Sequence, residues 1–549
     1  MHLPQPGRTV EVNTLVLAYP NQTWLKNDFQ TNWNLNPSTL CLLGAMVEEL
    51  VSVEIVDAQF YDMTIDEFVD SVAEKNPKYI GISVLSTEYK EVLHIAAASL
   101  KERMPDLIII AGGVHVTIEH LDVMSDQNID YAVVGDGEYV LRDLIQCLEG
   151  EGNLPSTGLV YRDNENLVVQ ERSVIADLDS LPMPNYELVC MEDYVSTGPR
   201  TGPQSPPELP YARLVITRGC PVGCSFCQVE AISGKRVRSP SAKKVVDELI
   251  LLRDRYGIKS FLIDDDNIVI KKVFFKEVLR EIIQRNLGLS FIIGAFAIFK
   301  LDDEMLDLMV EAGCVGINVA IESGNQRVMD KIVLKPVNLE TVPPLIQKVH
   351  DAGLWVIANF IIGFPGESWD EIRETIDFAE KCGADYVKFF IAVPLKGTKM
   401  WDMASDTGTI LHAEGSGVVD WRFSQITSDE WTSDDISILR AYEWDRINFA
   451  SPEKLKAMSK LWKIGEVELN ALRKKTRDAV TSQVLRTTQA VDEVHGRKTG
   501  DTSTVHSGRS HGDPKQSGPT SLTPAQRWVD PAVARVVISK RTDSDLAKT

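Results

Sequence analysis

The stretch Leu214-Val215-Ile216-Thr217-Arg218-Gly219-Cys220-Pro221-Val222-Gly223-Cys224-Ser225-Phe226-Cys227 runs from an apolar strand into a loop with three cysteines in CxxxCxxC spacing. Three thiolates on one tight loop can ligate three irons of a [4Fe–4S] cluster, since such clusters are held by cysteine thiolates. The fourth iron then has no protein ligand and can bind a substrate or cofactor directly. Structural zinc is the competing metal, but it takes four ligands, usually in CxxC pairs. No second CxxC exists, and Cys41, Cys147, Cys190, Cys314 and Cys382 are scattered. Gly219 and Gly223 supply the close turns the loop needs. The spacing points to a cluster.

Outward from this loop the chain repeats one unit, a helix ending at a glycine and then an apolar strand. The helix over 242–256 carries Val245, Leu249, Leu252 and Tyr256 on one face and stops at Gly257, before a strand over 260–263. A second helix, over 303–312, stops at Gly313 before 316–321, and a third stops at Gly353 before 355–362. The fourth opens at Ser368, with Glu371 completing a capping box, and stops at Gly383 before 386–392. With 214–217 and 291–295 these make six strands. Such alternation implies a parallel sheet covered by helices, and right-handed crossovers curl it into a partial (β/α)6 barrel of the TIM type. Ligands of that fold lie at the strand carboxyl ends, where the cysteine loop falls.

Residues 1–150 show the same alternation, with strands over 13–18, 53–57, 79–84, 107–111 and 131–134. Helices over 38–50, 65–74, 88–103 and 137–148 accompany them. Five such strands read as a doubly wound, Rossmann-like sheet with its ligand at the strand carboxyl ends. The loops there carry Ser83, Ser86 and Thr87; Gly112, Gly113 and His115; and Gly135, Gly137 and Glu138. Glycine lets a bulky ligand approach the backbone. By composition alone this domain holds a nucleotide, a flavin or nothing.

The 57 basic and 79 acidic residues leave a net charge of -22, which speaks against nucleic acid, since phosphate binding is driven by Lys and Arg. No run approaches the ~18 apolar residues of a membrane span, and residues 1–7 lack a signal-peptide pattern. Three clustered cysteines among eight fit a metal site in a reducing cytoplasm better than a disulfide framework. A linker is expected over 151–210, proline-rich from 199 to 210. A helical region with Trp401, Trp421, Trp431, Trp444 and Trp462 is expected over 401–480, its longest helix opening at Ser451-Pro452. It either caps the barrel or serves structure alone. A polar tail with the composition of a disordered segment follows over 481–549.

The cysteine spacing, with Phe226 before the last cysteine, resembles the radical SAM enzymes. In that family the open iron chelates the amino and carboxylate groups of S-adenosylmethionine (SAM), and one electron releases a deoxyadenosyl radical. Glu322-Ser323-Gly324 matches the family's Glu-Ser-Gly pattern, and Gly363-Phe364-Pro365-Gly366-Glu367 resembles its Gly-x-Pro-Gly-Glu loop. Asp264-Asp265-Asp266-Asn267 stands where the family often has Gly-Gly-Glu and departs from it. The domain order, with 112–117 and 134–138, resembles the cobalamin-dependent radical SAM methyltransferases over residues 10–401.

This resemblance implies a [4Fe–4S] cluster on Cys220, Cys224 and Cys227, and a SAM pocket touching Asp265, Asp266, Glu322, Ser323, Pro365 and Gly366. It implies cobalamin against the loops of Ser83, Ser86, Thr87, Gly112, Gly113, His115, Gly135, Gly137 and Glu138. Many cobalamin domains carry an Asp-x-His-x-x-Gly motif whose histidine ligates cobalt. The first loop here reads Tyr19-Pro20-Asn21-Gln22-Thr23-Trp24, so the lower cobalt face is expected to lack a histidine, with His115 near the cofactor tail. The implied activity moves a methyl group from SAM, through methylcobalamin, to a non-nucleophilic centre of a natural-product intermediate. The acceptor expected is the phosphinate phosphorus of N-acetyldemethylphosphinothricin or its peptide, with an sp3 carbon, or a non-methylating ring contraction or cyclisation, as alternatives. Arg213, Lys235, Arg236, Arg238 and Lys388 are the basic candidates for holding an anionic substrate. The partners implied are this small-molecule or peptide-linked substrate and an external one-electron reductant of the flavodoxin or ferredoxin type, with no nucleic acid and no membrane.

Overall fold

The computed structural model describes residues 12–25, 36–164, 166–197, 206–411 and 423–478. The tail expected over 481–549, and Trp421, lie outside the described residues. Both sheets belong to the compact unit Met1–Glu466, and the described remainder is helical through 478.

The first sheet has seven strands in the order β2-β1-β3-β4-β5-β6-β7. They are β1 (Thr14–Tyr19), β2 (Ser52–Asp57), β3 (Tyr79–Ser83), β4 (Ile108–Gly112), β5 (Tyr131–Val133), β6 (Leu159–Asp163) and β7 (Asn166–Val169). The strands β1 to β5 are parallel. Successive residues of a strand face opposite ways, and this sheet buries both sets. Val16, Ala18, Ile80, Ile82, Ile109 and Ala111 join Phe68, Val72 and Leu100 in one core. Leu15, Leu17, Tyr79, Ile110 and Val133 join Leu40 and Leu144 in another. The strand order reverses at β1, with β2 added on one side and β3 on the other, so a crevice opens at the carboxyl ends of β1 and β3.

The stretch read as a linker over 151–210 departs from that reading. Its first part forms the β6–β7 hairpin, antiparallel to β5 and to itself. The pattern is weak because this edge leaves Leu167 and Val169 exposed, which removes the apolar alternation that marks a half-buried strand.

The second sheet has six strands, all parallel, in the order β13-β12-β11-β10-β9-β8. They are β8 (Tyr211–Leu214), β9 (Ser260–Ile263), β10 (Ser290–Phe296), β11 (Cys314–Glu322), β12 (Trp355–Ile362) and β13 (Tyr386–Ile391). This is the partial barrel read from the repeated unit, and the capping box of Ser368 and Glu371 opens Trp369–Lys381 as expected. The strand expected over 214–217 lies three residues earlier. It stops at Leu214 because the amides of Ile216 and Thr217 donate to the Asp265 carboxylate instead of a neighbouring strand.

The helical region beyond the barrel covers its edge strand. The helix Ser433–Phe449 packs against β13, where Asn448 Oδ1 accepts from the Val387 amide at 2.9 Å and Asn448 Nδ2 donates to the Val387 carbonyl at 2.8 Å. Trp431 is buried, and its indole donates to the Glu367 carbonyl at 2.9 Å. Among the described residues no helix is long and apolar enough to cross a membrane.

Candidate functional site

The cysteine loop is held from several sides. Cys220 N donates to Gly234 O at 3.2 Å and Cys227 N to Cys224 O at 3.2 Å. Ser225 N donates to Val333 O at 2.9 Å, and Met400 N to Ser225 O at 2.8 Å. A Cβ on Gly219, whose φ is +93°, would lie 2.5 Å from Arg236 O, so the turn before Cys220 admits glycine alone. All three cysteines are half-buried and free. Burial pushes the Cys224 thiol up to about 11 and the Cys227 thiol up to about 12, while the Lys335 charge works against it at Cys224. Among the described residues no three His, Cys, Asp or Glu side chains converge as one metal ion would require. A cluster asks for less convergence, because each cysteine takes its own iron.

The expected SAM-side segments gather around this loop. Phe226 packs on Phe364 with ring centroids 6.1 Å apart, joining the cysteine loop to the Gly-Phe-Pro-Gly-Glu loop that carries Pro365 and Gly366. Glu367 shapes that loop by accepting from the Gly363 and Phe364 amides at 2.8 and 2.9 Å. Glu322 ends β11 with φ +82° and accepts from Lys335 Nζ at 2.8 Å. Ser323 is fully buried and bonds Thr375 Oγ1 at 3.0 Å, so its hydroxyl belongs to the strand–helix contact.

The aspartates after β9 divide their work. Asp264 pairs with Arg213. Asp265 is buried, its carboxylate taken by Thr217 N at 2.9 Å and Thr217 Oγ1 at 2.7 Å. Asp266 is exposed into a cavity, where burial around it and the Asp264 charge push its carboxyl up to about 6. Of the two acidic candidates, Asp266 keeps its acceptors available and Asp265 spends them on the backbone.

That cavity, of ≈ 520 Å³, lies between the carboxyl edges of the two sheets. Its walls include Ser83, Gly112, Gly113, Gly135, Gly137 and Glu138 on one side, and Arg213, Thr217, Arg218 and Asp266 on the other. A Cβ on Gly112 would meet nothing within 4 Å, so this glycine opens straight onto the space. The size falls in the ~300–1,000 Å³ range of ligand sites, and the glycine-lined, mostly apolar wall fits a bulky macrocycle. Among the described residues no histidine lines it. His115 is fully buried with Nδ1 3.7 Å from Glu119 Oε1, and burial drives its imidazole down to about 4. Ser86 and Thr87 also stand outside the lining, with Ser86 Oγ accepting from Glu88 N at 3.3 Å.

Sequence reading did not anticipate what ties the two sheets together. Arg218, two residues before Cys220, donates to Asp136 Oδ1 at 2.9 Å and pairs closely with Glu138. Arg238 pairs with Asp136 and donates to the Ile175 carbonyl at 2.7 Å. Arg238 and Glu138 are each 4% exposed. Burial pushes the Asp136 carboxyl up, but the two guanidiniums hold it below its usual range. In sequence Arg218 belongs to the cysteine stretch, Glu138 to a glycine loop and Arg238 to the basic candidates; only the fold pairs them, through Asp136. Lys396, after β13, adds a second tie to Glu119 at 2.6 Å.

The profile of the B12-binding domain matches residues 35–145, and that of the radical SAM superfamily residues 214–379. The chain is 30% identical to the cytidylyl-2-hydroxyethylphosphonate methyltransferase of Streptomyces wedmorensis, over 65% of this chain and 73% of that protein. The chain belongs to the cobalamin-dependent radical SAM methyltransferases. As a methyltransferase of this family it uses a [4Fe–4S] cluster, SAM and cobalamin. An uncharacterized methyltransferase of Pyrococcus horikoshii is 29% identical over 68% of this chain and 80% of that protein. In fold, the methyltransferase is similar to TsrM from Kitasatospora setae, with TM-score 0.60 and 19% identity over 73% of this chain and 78% of that one. It is also similar to OxsB, with TM-score 0.64 and 17% identity over 89% of this chain and 76% of that one.

Proposed function

We propose that the enzyme methylates the phosphinate phosphorus of N-acetyldemethylphosphinothricin or its peptide, within antibiotic biosynthesis, so that a P–H bond is replaced by P–CH3. The observation that carries this reading is the 30% identical relative, which is by name a phosphonate methyltransferase. SAM, the cluster and cobalamin supply the methyl group and the hydrogen-abstracting radical. The chain's own part is to hold Cys220, Cys224 and Cys227 on a fixed loop, to present Asp266 and the paired Glu322 beside it, and to seat cobalamin against Gly112 and Gly137. An external one-electron reductant of the flavodoxin or ferredoxin type serves the cluster.

Phosphorus NMR of an anaerobic turnover tests the proposal, with reconstituted enzyme, cobalamin, SAM, a strong reductant and N-acetyldemethylphosphinothricin. The expected outcome is loss of the large P–H coupling and growth of a methyl-coupled signal. An unchanged spectrum despite deoxyadenosine formation rejects the phosphinate and turns the search to carbon acceptors. A second reading has one observation in its favour. The anaerobic magnesium-protoporphyrin IX monomethyl ester cyclase of Rubrivivax gelatinosus is 28% identical over 69% of this chain and 68% of that protein. Product mass separates the two, because only methyl transfer adds a methyl group and yields S-adenosylhomocysteine.

A further inference from the structure

The structure sorts the five basic side chains that lie near the site. Arg213 is paired with Asp264, and Arg238 with Asp136. Lys235 is exposed and pairs with Glu230 at 3.0 Å, and Arg236 is exposed. Lys388 differs from all of these. It sits in the middle of β13, in parallel register with Asn359 of β12.

Alternation along the strands fixes which way these two residues face. Phe360 and Phe389, their neighbours in sequence, lie against each other, and Phe360 meets Phe378 of the covering helix. Asn359 and Lys388 therefore point into the barrel. Two residues toward the strand end, Phe390 is 41% exposed on the same inner face, which leaves the mouth above Lys388 open.

Among the described residues Lys388 has no hydrogen bond and no ion pair, and Asn359 Oδ1 is buried without a partner. The opposite charge that acts on Lys388 is Asp264, and that carboxylate is already held by Arg213. Lys388 is half-buried, and a cation held against an apolar wall without a close counter-ion is unfavourable unless an arriving anion supplies one. This wall of the barrel thus offers an ammonium with no protein acceptor and, beside it, an amide whose oxygen has no protein donor. A ligand that pairs with the ammonium through an oxyanion and donates a proton to Asn359 Oδ1 would satisfy both.

We infer that Lys388, with Asn359 beside it, anchors the acidic group of the methyl acceptor, a compact oxyanion such as a phosphinate or carboxylate. The inference rests on the proposed function and adds the residues that choose the substrate. The carboxylate of SAM is the other source of such an anion. It has to stay by the open iron, however, and the lysine whose charge acts on Cys220 and Cys224 is Lys335. Lys388 serves the acceptor.

The test is a calorimetric titration of anaerobic holoenzyme carrying cluster and hydroxocobalamin, as wild type, Lys388→Met and Lys388→Arg. N-acetyldemethylphosphinothricin and S-adenosylhomocysteine are the two titrants, and equal cluster absorbance and cobalamin content confirm that the variants are folded. Lys388→Met is expected to weaken acceptor binding roughly 30-fold, in the range of a lost charged hydrogen bond, and to raise KM with little change in kcat. Lys388→Arg should recover part of the loss, and S-adenosylhomocysteine affinity should stay within about twofold. Unchanged acceptor affinity in Lys388→Met, or a loss on the S-adenosylhomocysteine side instead, overturns the assignment. If wild type does not bind the acceptor, the phosphinate reading falls by itself, and methylphosphinate and acetate become the titrants. Anion affinity that depends on Lys388 then upholds the anchor, and none in wild type removes it.

Discussion

At the carboxyl edge of the first sheet, Gly112 makes room by carrying no side chain, and Gly113 and Gly135 line the same cavity with backbone packed too closely on Val84 and Ser173 to admit one. At the carboxyl edge of the second, space is set by charges matched in pairs, Arg213 with Asp264 and Lys335 with Glu322. The first edge tolerates a large, mostly uncharged surface against bare backbone. The second positions small charged groups, and each pair fixes where the next charge can go. A ligand seat made by omission and one made by pairing fail differently when altered, and the expected failures can be ranked.

The largest effect belongs to the paired edge. Cys224→Ala should remove the cluster's visible absorbance and all deoxyadenosine formation while cobalamin stays bound, because the first edge is untouched. Loss of cobalamin in the same variant would show that the two seats are not separable.

Filling the empty edge comes next. Gly112→Leu meets no protein atom at Cβ and projects into the cavity, so an overpacking penalty of about 1–3 kcal/mol should weaken cobalamin binding roughly 10- to 100-fold. Cobalamin retained on gel filtration measures this, and cluster content should not change.

A pH titration follows. Burial pushes the Lys388 ammonium down to about 8, against the opposing charge of Asp264, which Arg213 partly holds. The charged form that binds an oxyanion is therefore lost as pH rises through that value. Acceptor affinity should be flat below it and fall about tenfold per pH unit above it, with Lys388→Arg extending the flat region upward.

The smallest effect is one of coupling. Glu138→Gln weakens the tie to Arg218 but leaves Asp136 in place. The ratio of deoxyadenosine released to methyl transferred is expected to rise several-fold, as is usual when a positioning contact is loosened. A ratio equal to wild type at equal cofactor content would reduce the Arg218 tie to a purely structural role.

Much of this architecture can be read in one dimension. The barrel helices announce themselves by apolar spacing and by Gly257, Gly313, Gly353 and Gly383 at their ends, and Ser368 with Glu371 forms its capping box from residues three apart. The cysteines carry their own spacing, and the glycine loops fall where an alternating sheet must put them. What stays hidden has no local pattern. Asp136 and Arg218 stand 82 residues apart, and nothing in either neighbourhood names the other. Asp265 reads as one more acidic turn residue, yet its carboxylate ends β8 by capturing two amides. His115 sits beside two loop glycines, but the helix it opens turns its ring inward. Periodicity speaks for neighbours along a strand or helix; charge pairing across a crevice is settled by the fold.

The amide of Asn448 has a consequence for other copies of the chain. An open barrel ends in a strand whose unpaired peptide groups could template addition of a foreign strand. By occupying both groups of Val387, one side chain blocks that docking in the middle of β13, so crowded molecules meet a closed rim there instead of a growing end.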